Sequence, residues 1–260
     1  MNANQLEKVS SSGKNNRKNE CIIKGSPPFE KIDRIIAYVS KSICKVIIKK
    51  ESFYSQGTGF LLAIWIDDER YFCLVSNEHV IQKKFLNDEY IIKISYDNEF
   101  ITRYIDLNNN KRYMRSFTDN GIDLTIVQIL EEDNISKDYF LYPDKQNINN
   151  ELINSSIYIP QFPGGKQLMN AKGKIKEINK NEFAHLANTE QGSSGSPIFL
   201  ENSIYVIGIH KAENTDSTEN YGDFIYPAIN IIKVDIRKKR NNGKYINGIY
   251  IWEDGKYYCI

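Results

Sequence analysis

The chain has 260 residues, enough for one large β domain or two small ones. Hydrophobic residues make up 41% of it, a share that supports a packed core. The net charge of +1 argues against a surface dedicated to nucleic acid or to membrane. No run approaches the roughly 18 apolar residues of a membrane-spanning helix, and Met1 to Glu20 lacks the apolar core of a secretory signal. Neither membrane insertion nor export is therefore expected. Tyr, Phe and Ile are plentiful while Ala and Met are sparse, which leans toward strands. Cys21, Cys44, Cys73 and Cys259 form no Cys-x-x-Cys pair, and no histidine stands at zinc-like spacing from them. Cys44 and Cys73 fall in apolar runs and read as reduced core residues. Together these features favour a cytoplasmic location.

Residues 1–27 are polar and basic and are expected to be a disordered tail. Pro27-Pro28 then opens a helical pattern over 28–42. Phe29, Ile32, Ile35, Ile36 and Val39 recur at three- and four-residue spacing between charged residues. This apolar stripe suits docking on a β core, or a protein partner. From Ile43 the pattern is β. Strands are expected at Ile43–Lys49, Phe60–Trp65 and Tyr71–Ser76, and Asn77-Glu78-His79-Val80-Ile81 then runs into a short helical turn. Tyr90–Tyr96, Ile101–Leu107 and Gly121–Leu130 follow as strands, the last carrying one buried-looking polar residue, Asp123.

Polar residues 131–155 read as a connection between two halves. Further strands are expected at Ile157–Phe162, Gly173–Ile178, Phe183–Asn188, Ile198–Leu200, Ile204–Ile209 and Asp223–Ile229. Many short strands between Gly, Pro and Asn turns indicate an all-β chain of barrels or a sandwich. The segment 237–260 repeats Gly-Lys-Tyr at Gly243 and Gly255. It reads as one terminal hairpin, though it also resembles MORN hairpin repeats. Like helix 28–42, it could contact a protein partner.

The most distinctive stretch is Gln191-Gly192-Ser193-Ser194-Gly195-Ser196-Pro197, followed at once by apolar Ile198-Phe199. Two glycines among three serines disfavour both helix and strand. Such a run makes a tight turn that presents one hydroxyl at a rigid strand end. Gly192 lets the backbone approach a ligand and lets the N–H groups of Gly192 and Ser194 point the same way, as an oxyanion hole requires. A plain Gly/Ser surface turn is the alternative reading of this string alone.

The chain has three histidines, His79, His185 and His210, each in or beside an expected strand. In chain order, Ser76-Asn77-Glu78-His79-Val80, Ile122-Asp123-Leu124-Thr125-Ile126-Val127 and Gly192-Ser193-Ser194-Gly195-Ser196-Pro197 resemble the three catalytic blocks of the chymotrypsin-fold serine proteases. Gly57-Thr58-Gly59-Phe60 resembles the strand before the histidine block, so the likeness covers residues 43–230. It implies two six-stranded antiparallel β-barrels with the active site between them. The protease domain would occupy 43–236, after a short N-terminal helix and before the tail. It implies a serine endopeptidase acting on a polypeptide substrate, with Ser194 as nucleophile, His79 as general base and Asp123 orienting the imidazole. No metal or cofactor is required. A protease-fold module that binds peptides without cleaving them is the alternative.

Ser193 stands where trypsin-like zymogens carry an aspartate, and no cysteine flanks the histidine or serine blocks. Both departures resemble the non-zymogen branch that includes glutamyl endopeptidases. In this fold the pocket for the residue before the cut (P1) would be walled by Thr189-Glu190-Gln191 and Gly208-Ile209-His210-Lys211. Asn188 replaces the acid that selects Arg or Lys in trypsin, while Thr189 and His210 match positions that bind an acidic P1 side chain. Thr189, His210 and Lys211 are thus the expected substrate-binding residues, with Lys211 adding positive potential at the rim. The expectation is cleavage after Glu, with Gln or Asp as alternatives. His210 could instead merely end a core strand, and His185 could be either a pocket wall or a surface residue.

Overall fold

The computed structural model describes residues 34–50, 53–87, 90–145, 150–213, 218–240, 250–253 and 256–259. The polar tail 1–27, the start of the expected helix and the first Gly-Lys-Tyr lie outside the described residues. The helix is described from Arg34, as α1 (Arg34–Ser40), with Ile36 and Val39 buried.

The first sheet is antiparallel. It contains β1 (Ile43–Lys50), β2 (Phe53–Ile66), β3 (Glu69–Ser76), β4 (Ile91–Tyr96), β5 (Ile101–Asp106), β6 (Met114–Ser116) and β7 (Thr125–Gln128). Their order is β5-β4-β1-β2-β3-β7-β6. Side chains alternate across a strand, so β2 serves two cores. Leu61 and Ala63 join Cys44, Val46, Ile48, Leu74, Ile92 and Ile94 inside the curve of the sheet. Phe60, Leu62 and Ile64 face the opposite way, into a cluster shared with Phe162, Phe199 and Ile209 of the second half. Strands buried on both faces read as continuous apolar runs, as β2 and β3 do. Each such side chain contributes about 1.5–3 kcal/mol on burial.

The second sheet holds β8 (Tyr142–Pro143), β9 (Ser156–Gln161), β10 (Met169–Asn179), β11 (Glu182–His185), β12 (Pro197–Leu200), β13 (Tyr205–Glu213) and β14 (Asn220–Phe224). Its order is β12-β9-β10-β11-β14-β13-β8, and a further β12–β13 pairing closes six strands into a barrel. The all-β architecture is as expected. Closure differs between the halves: among the described residues nothing pairs β5 with the three-residue β6, so the first sheet is an open half-barrel.

Two departures from the expected elements matter for the site. The strand expected over Gly121–Leu130 begins only at Thr125. A turn over Thr118–Asn120 ends at Gly121 with φ 72°, which leaves Asp123 outside the ladder. The strand expected over Asp223–Ile229 stops at Phe224, and α2 (Tyr226–Arg240) takes over. Pro227 lies in the first turn of α2, where a missing N–H is harmless. Ala228, Ile229, Ile232 and Ile236 form its buried stripe, packed with Phe60, Leu62, Ile64, Cys73 and Phe117. The Tyr113 hydroxyl donates to Asp235 Oδ2 at 2.8 Å, and Arg115 pairs with the same carboxylate.

The connection after β7 is pinned by a buried bidentate pair, Arg112 with Asp133, at 2.8 and 3.1 Å. Cys44 and Cys73 are free and buried, and burial pushes both thiols far up. β15 (Tyr250–Glu253) and β16 (Lys256–Cys259) form a separate antiparallel hairpin. Among the described residues no helix is long and apolar enough to cross a membrane.

Candidate active site

β2 and β3 pair with Gly59 opposite Ser76, which fixes where the chain leaves the sheet. Beyond Ser76 it turns, and the N–H groups of Val80 and Ile81 both donate to the Asn77 carbonyl, at 3.2 and 2.9 Å. The turn lifts His79 out of the core, and its side chain is 46% exposed. Asp123 meets it. The Nδ1 of His79 lies 2.6 Å from Asp123 Oδ2. Oδ1 of the same carboxylate accepts the N–H groups of Glu78, at 2.8 Å, and of His79, at 3.3 Å.

The Asp123 backbone is held as firmly. Its carbonyl accepts from Asn77 Nδ2 at 2.6 Å, and its N–H donates to Asp223 Oδ2 at 2.8 Å. Burial works against the charged carboxylate. The imidazole of His79 and the two backbone N–H groups outweigh it, and hold the Asp123 carboxyl below the usual carboxylate range. This is a carboxylate kept ionised and aimed at one ring nitrogen.

The serine loop can be read through its carbonyls. The Gln191 carbonyl accepts the Gly164 N–H at 2.6 Å, and the Ser193 carbonyl accepts the Ser196 N–H at 3.1 Å and its hydroxyl at 2.6 Å. A trans peptide sets C=O and N–H on opposite sides. The N–H groups of Gly192 and Ser194 therefore point away from those partners. Between them the Ser193 N–H turns the other way and donates to the Glu190 carbonyl at 2.9 Å. Gly192 has φ 99° and Gly195 φ 90°, a region that costs a side chain dearly.

Thr58 joins this loop to the first sheet. Its N–H donates to the Ser194 carbonyl at 2.9 Å, and its hydroxyl donates to the Gly192 carbonyl at 2.8 Å. The same hydroxyl accepts the Phe162 N–H at 3.1 Å. Gly57 lies between the two blocks. A Cβ there would stand 2.6 Å from Val80 Cγ2 and 3.0 Å from the Ser194 carbonyl. The histidine turn and the serine loop thus pack on one glycine, which brings the blocks of His79 and Ser194 together.

The residues expected to bind the P1 side chain are placed as follows. Thr189 is fully buried and its Oγ1 has no hydrogen-bond partner among the described residues. His210 is fully buried on β13, and its backbone pairs with the serine loop. The Gly195 N–H donates to the His210 carbonyl at 3.0 Å, and the His210 N–H donates to the Ser196 carbonyl at 2.8 Å. His185, undecided from sequence, is a buried partner of this residue, its Nε2 lying 3.2 Å from His210 Nδ1. Burial, then the neighbouring His210, hold the His185 pKa well below its ordinary value, so its ring is neutral.

Lys211, expected to add positive potential at the rim, is held by two carboxylates. Its Nζ lies 2.9 Å from Asp223 Oδ1 and also pairs with Glu182. Burial disfavours the charged amine, but the two carboxylates keep the Lys211 pKa raised. Thr58, Gly164, Glu182 and Asp223 were not singled out in sequence beyond the Gly-Thr-Gly motif. They act through contacts between distant segments, which no local pattern carries.

No curated protein matches the chain in sequence. In fold it is similar to a serine endoprotease of Yersinia pestis, with TM-score 0.57 and 16% identity, covering 81% of this chain and 69% of that one. A Glu endopeptidase solved in complex with MPD is similar at TM-score 0.58 and 18% identity, covering 84% of this chain and 99% of that one. A protease of M. tuberculosis in its active form is similar at TM-score 0.56 and 15% identity, covering 85% and 89%. At these identities the likeness concerns the chymotrypsin-like fold. A family model described as the trypsin-like peptidase domain matches residues 57–209, more than half of the sequence, and the chain belongs to that family of serine-type peptidases.

Proposed function

We propose that this peptidase cleaves polypeptides through a His79, Asp123 and Ser194 triad and prefers Glu or Gln at P1. The observation that carries the reading is the 2.6 Å contact of His79 Nδ1 with the ionised Asp123 carboxylate. It fixes the imidazole through Nδ1 and assigns Nε2 as the nitrogen that serves Ser194 as a base. Ser194 Oγ attacks the peptide carbonyl while His79 takes the hydroxyl proton. The C–N bond then breaks, the amine leaves with that proton, and an acyl-enzyme remains. Water attacks the acyl carbon while giving a proton to His79; the C–O bond to Ser194 then breaks, Ser194 Oγ takes that proton back, and the acid leaves. The N–H groups of Gly192 and Ser194 receive the developing oxyanion, and losing one such donor costs about 3 kcal/mol of transition-state stabilisation.

Thr189 and His210 supply the P1 preference. The buried Thr189 hydroxyl, without a hydrogen-bond partner among the described residues, has hydrogen-bonding capacity to give to a carboxylate or amide. His185 braces His210 from behind. Lys211 contributes less to the pocket than its charge suggests, since two carboxylates already hold it.

A fluorophosphonate probe tests the nucleophile. The chain is expected to label, and the Ser194→Ala variant to stay dark. A folded protein that does not label would overturn the triad and favour the peptide-binding module. A peptide library with Glu, Gln, Asp, Lys and Leu at P1 then tests the pocket. Faster cleavage after Lys or Leu than after Glu or Gln would overturn the P1 assignment.

A further inference from the structure

Asp123 comes from the loop that enters β7 of the first sheet, yet its backbone is held from the barrel. Its N–H donates to Asp223 Oδ2 at 2.8 Å, a contact spanning 100 residues of sequence. Asp223 stands mid-strand in β14, paired with Glu182 of β11 on one side and Ile209 of β13 on the other. Its side chain is only 1% exposed. Burial pushes its carboxyl up, and Lys211 at 2.9 Å is the cation that opposes this.

The register explains how Lys211 reaches it. In the β13–β14 ladder His210 opposes Gly222 and Ala212 opposes Tyr221, so Lys211 is the extra residue of a bulge. A bulge re-aims the side chain it carries. His210 is buried beside His185, whereas the Lys211 ammonium reaches Asp223 and Glu182. A buried carboxylate is costly unless paired and hydrogen-bonded, and here both of its oxygens are engaged.

We infer that Asp223, charged and oriented by Lys211, is a positioning residue that locks Asp123 in place from across the cleft. This rests on the triad reading. Asp223 touches no reacting atom. It fixes the Asp123 backbone, so that the carboxylate meets His79 Nδ1 squarely. Lys211 then serves catalysis through Asp223 rather than through the P1 side chain.

The test uses an isosteric pair of variants in the full chain. In Asp223→Asn the ammonium of Lys211 draws the amide oxygen, which turns the NH2 group onto the Asp123 N–H. Two donors then face each other and Asp123 is displaced. Misplacement by about 1 Å can cost about 100-fold in rate. The expectation is a kcat loss of that order with KM within about twofold. In Asp223→Asn/Lys211→Gln the glutamine oxygen accepts from the amide NH2, the amide oxygen returns to Asp123, and kcat recovers at least tenfold. Asp223→Asn with wild-type kcat, or a double variant no better than the single one, would overturn the inference.

A readout independent of turnover separates this from failure of the triad. In a Ser194→Ala background, the downfield Nδ1 proton resonance of His79 is expected in the parent and in the double variant. It should be lost or broadened with Asp223→Asn. An unchanged resonance in all three would also overturn the positioning role, whatever the activity of the parent chain.

Discussion

The Thr58 hydroxyl donates to the Gly192 carbonyl at 2.8 Å, tying β2 of the half-barrel to the loop that carries Ser194. It also accepts the Phe162 N–H, so one side chain satisfies two buried backbone groups. Thr58→Val keeps the shape and removes both bonds. Each orphaned group costs about 1–3 kcal/mol. The variant should unfold at lower urea concentration and label more slowly with fluorophosphonate. Thr58→Ser, which keeps the oxygen, should restore most of both. Equal behaviour of the Val and Ser variants would show that the hydroxyl does not hold the loop.

Gly195 and Gly121 make a controlled comparison. Both have positive φ, at 90° and 72°. A Cβ at Gly121 meets nothing within 4 Å, whereas one at Gly195 would stand 2.0 Å from the Thr58 carbonyl oxygen. Gly121→Ala should cost only the conformational penalty, about 1–2 kcal/mol. Gly195→Ala must in addition push β2 away from the serine loop. It should lower the melting temperature much further and abolish labelling. Similar melting temperatures for the two variants would count against the close approach.

His185 predicts an acid-side loss of stability. Its folded pKa lies well below the ordinary 6.5 because the ring is buried beside His210. Below that pH the unfolded chain binds a proton that the folded chain refuses. Stability is thus intact above about 6.5 and falls as pH drops, by up to about 1.4 kcal/mol per pH unit. His185→Gln should flatten the melting-temperature profile between pH 6.5 and 5. An identical slope in the variant would mean that another group dominates.

The buried Arg112–Asp133 pair predicts a non-additive cycle. Arg112→Met leaves a buried carboxylate without its cation, which costs about 3–5 kcal/mol. Asp133 also accepts the Leu130 N–H at 2.7 Å, so the single variant should loosen the start of the connection between the halves. Arg112→Met/Asp133→Asn removes the stranded charge and keeps an acceptor, and should recover most of the loss. Chemical denaturation of the wild type, Arg112→Met, Asp133→Asn and the double variant would measure it, and strict additivity would refute the coupling.

Much of the fold was legible because its signals are local. The apolar runs at β2 and β3 gave strands, and the Gly-Ser run gave a turn that could be nothing regular. The histidine turn was visible for the same reason; Asp123 was expected within a strand, and the structure instead puts it in the loop before β7, with its side chain against His79. Only the first turn of α2 falls within the strand expected over Asp223–Ile229, where Phe224, Ile225 and Ile229 favour strand. Only Pro227 and the three- and four-residue spacing of Ile229, Ile232 and Ile236 favoured helix. The reach of Lys211 to Asp223 depends on a bulge, and a bulge leaves no trace in composition. Asp223 itself acts on a residue far away in the chain, where sequence patterns say nothing.

The late position of α2 has a consequence for how the molecule comes into being. His79, Asp123 and Ser194 all leave the ribosome before Tyr226. The outer apolar face of the half-barrel, with Phe60, Leu62 and Ile64, shares its cluster with Ile229, Ile232 and Ile236 of this helix. A nascent chain therefore carries the proposed triad while that face still lacks its helical cover. A chain stopped short at Phe224 would hold all three residues of the proposed triad on a scaffold without Ile229, Ile232 and Ile236 to complete its largest cluster.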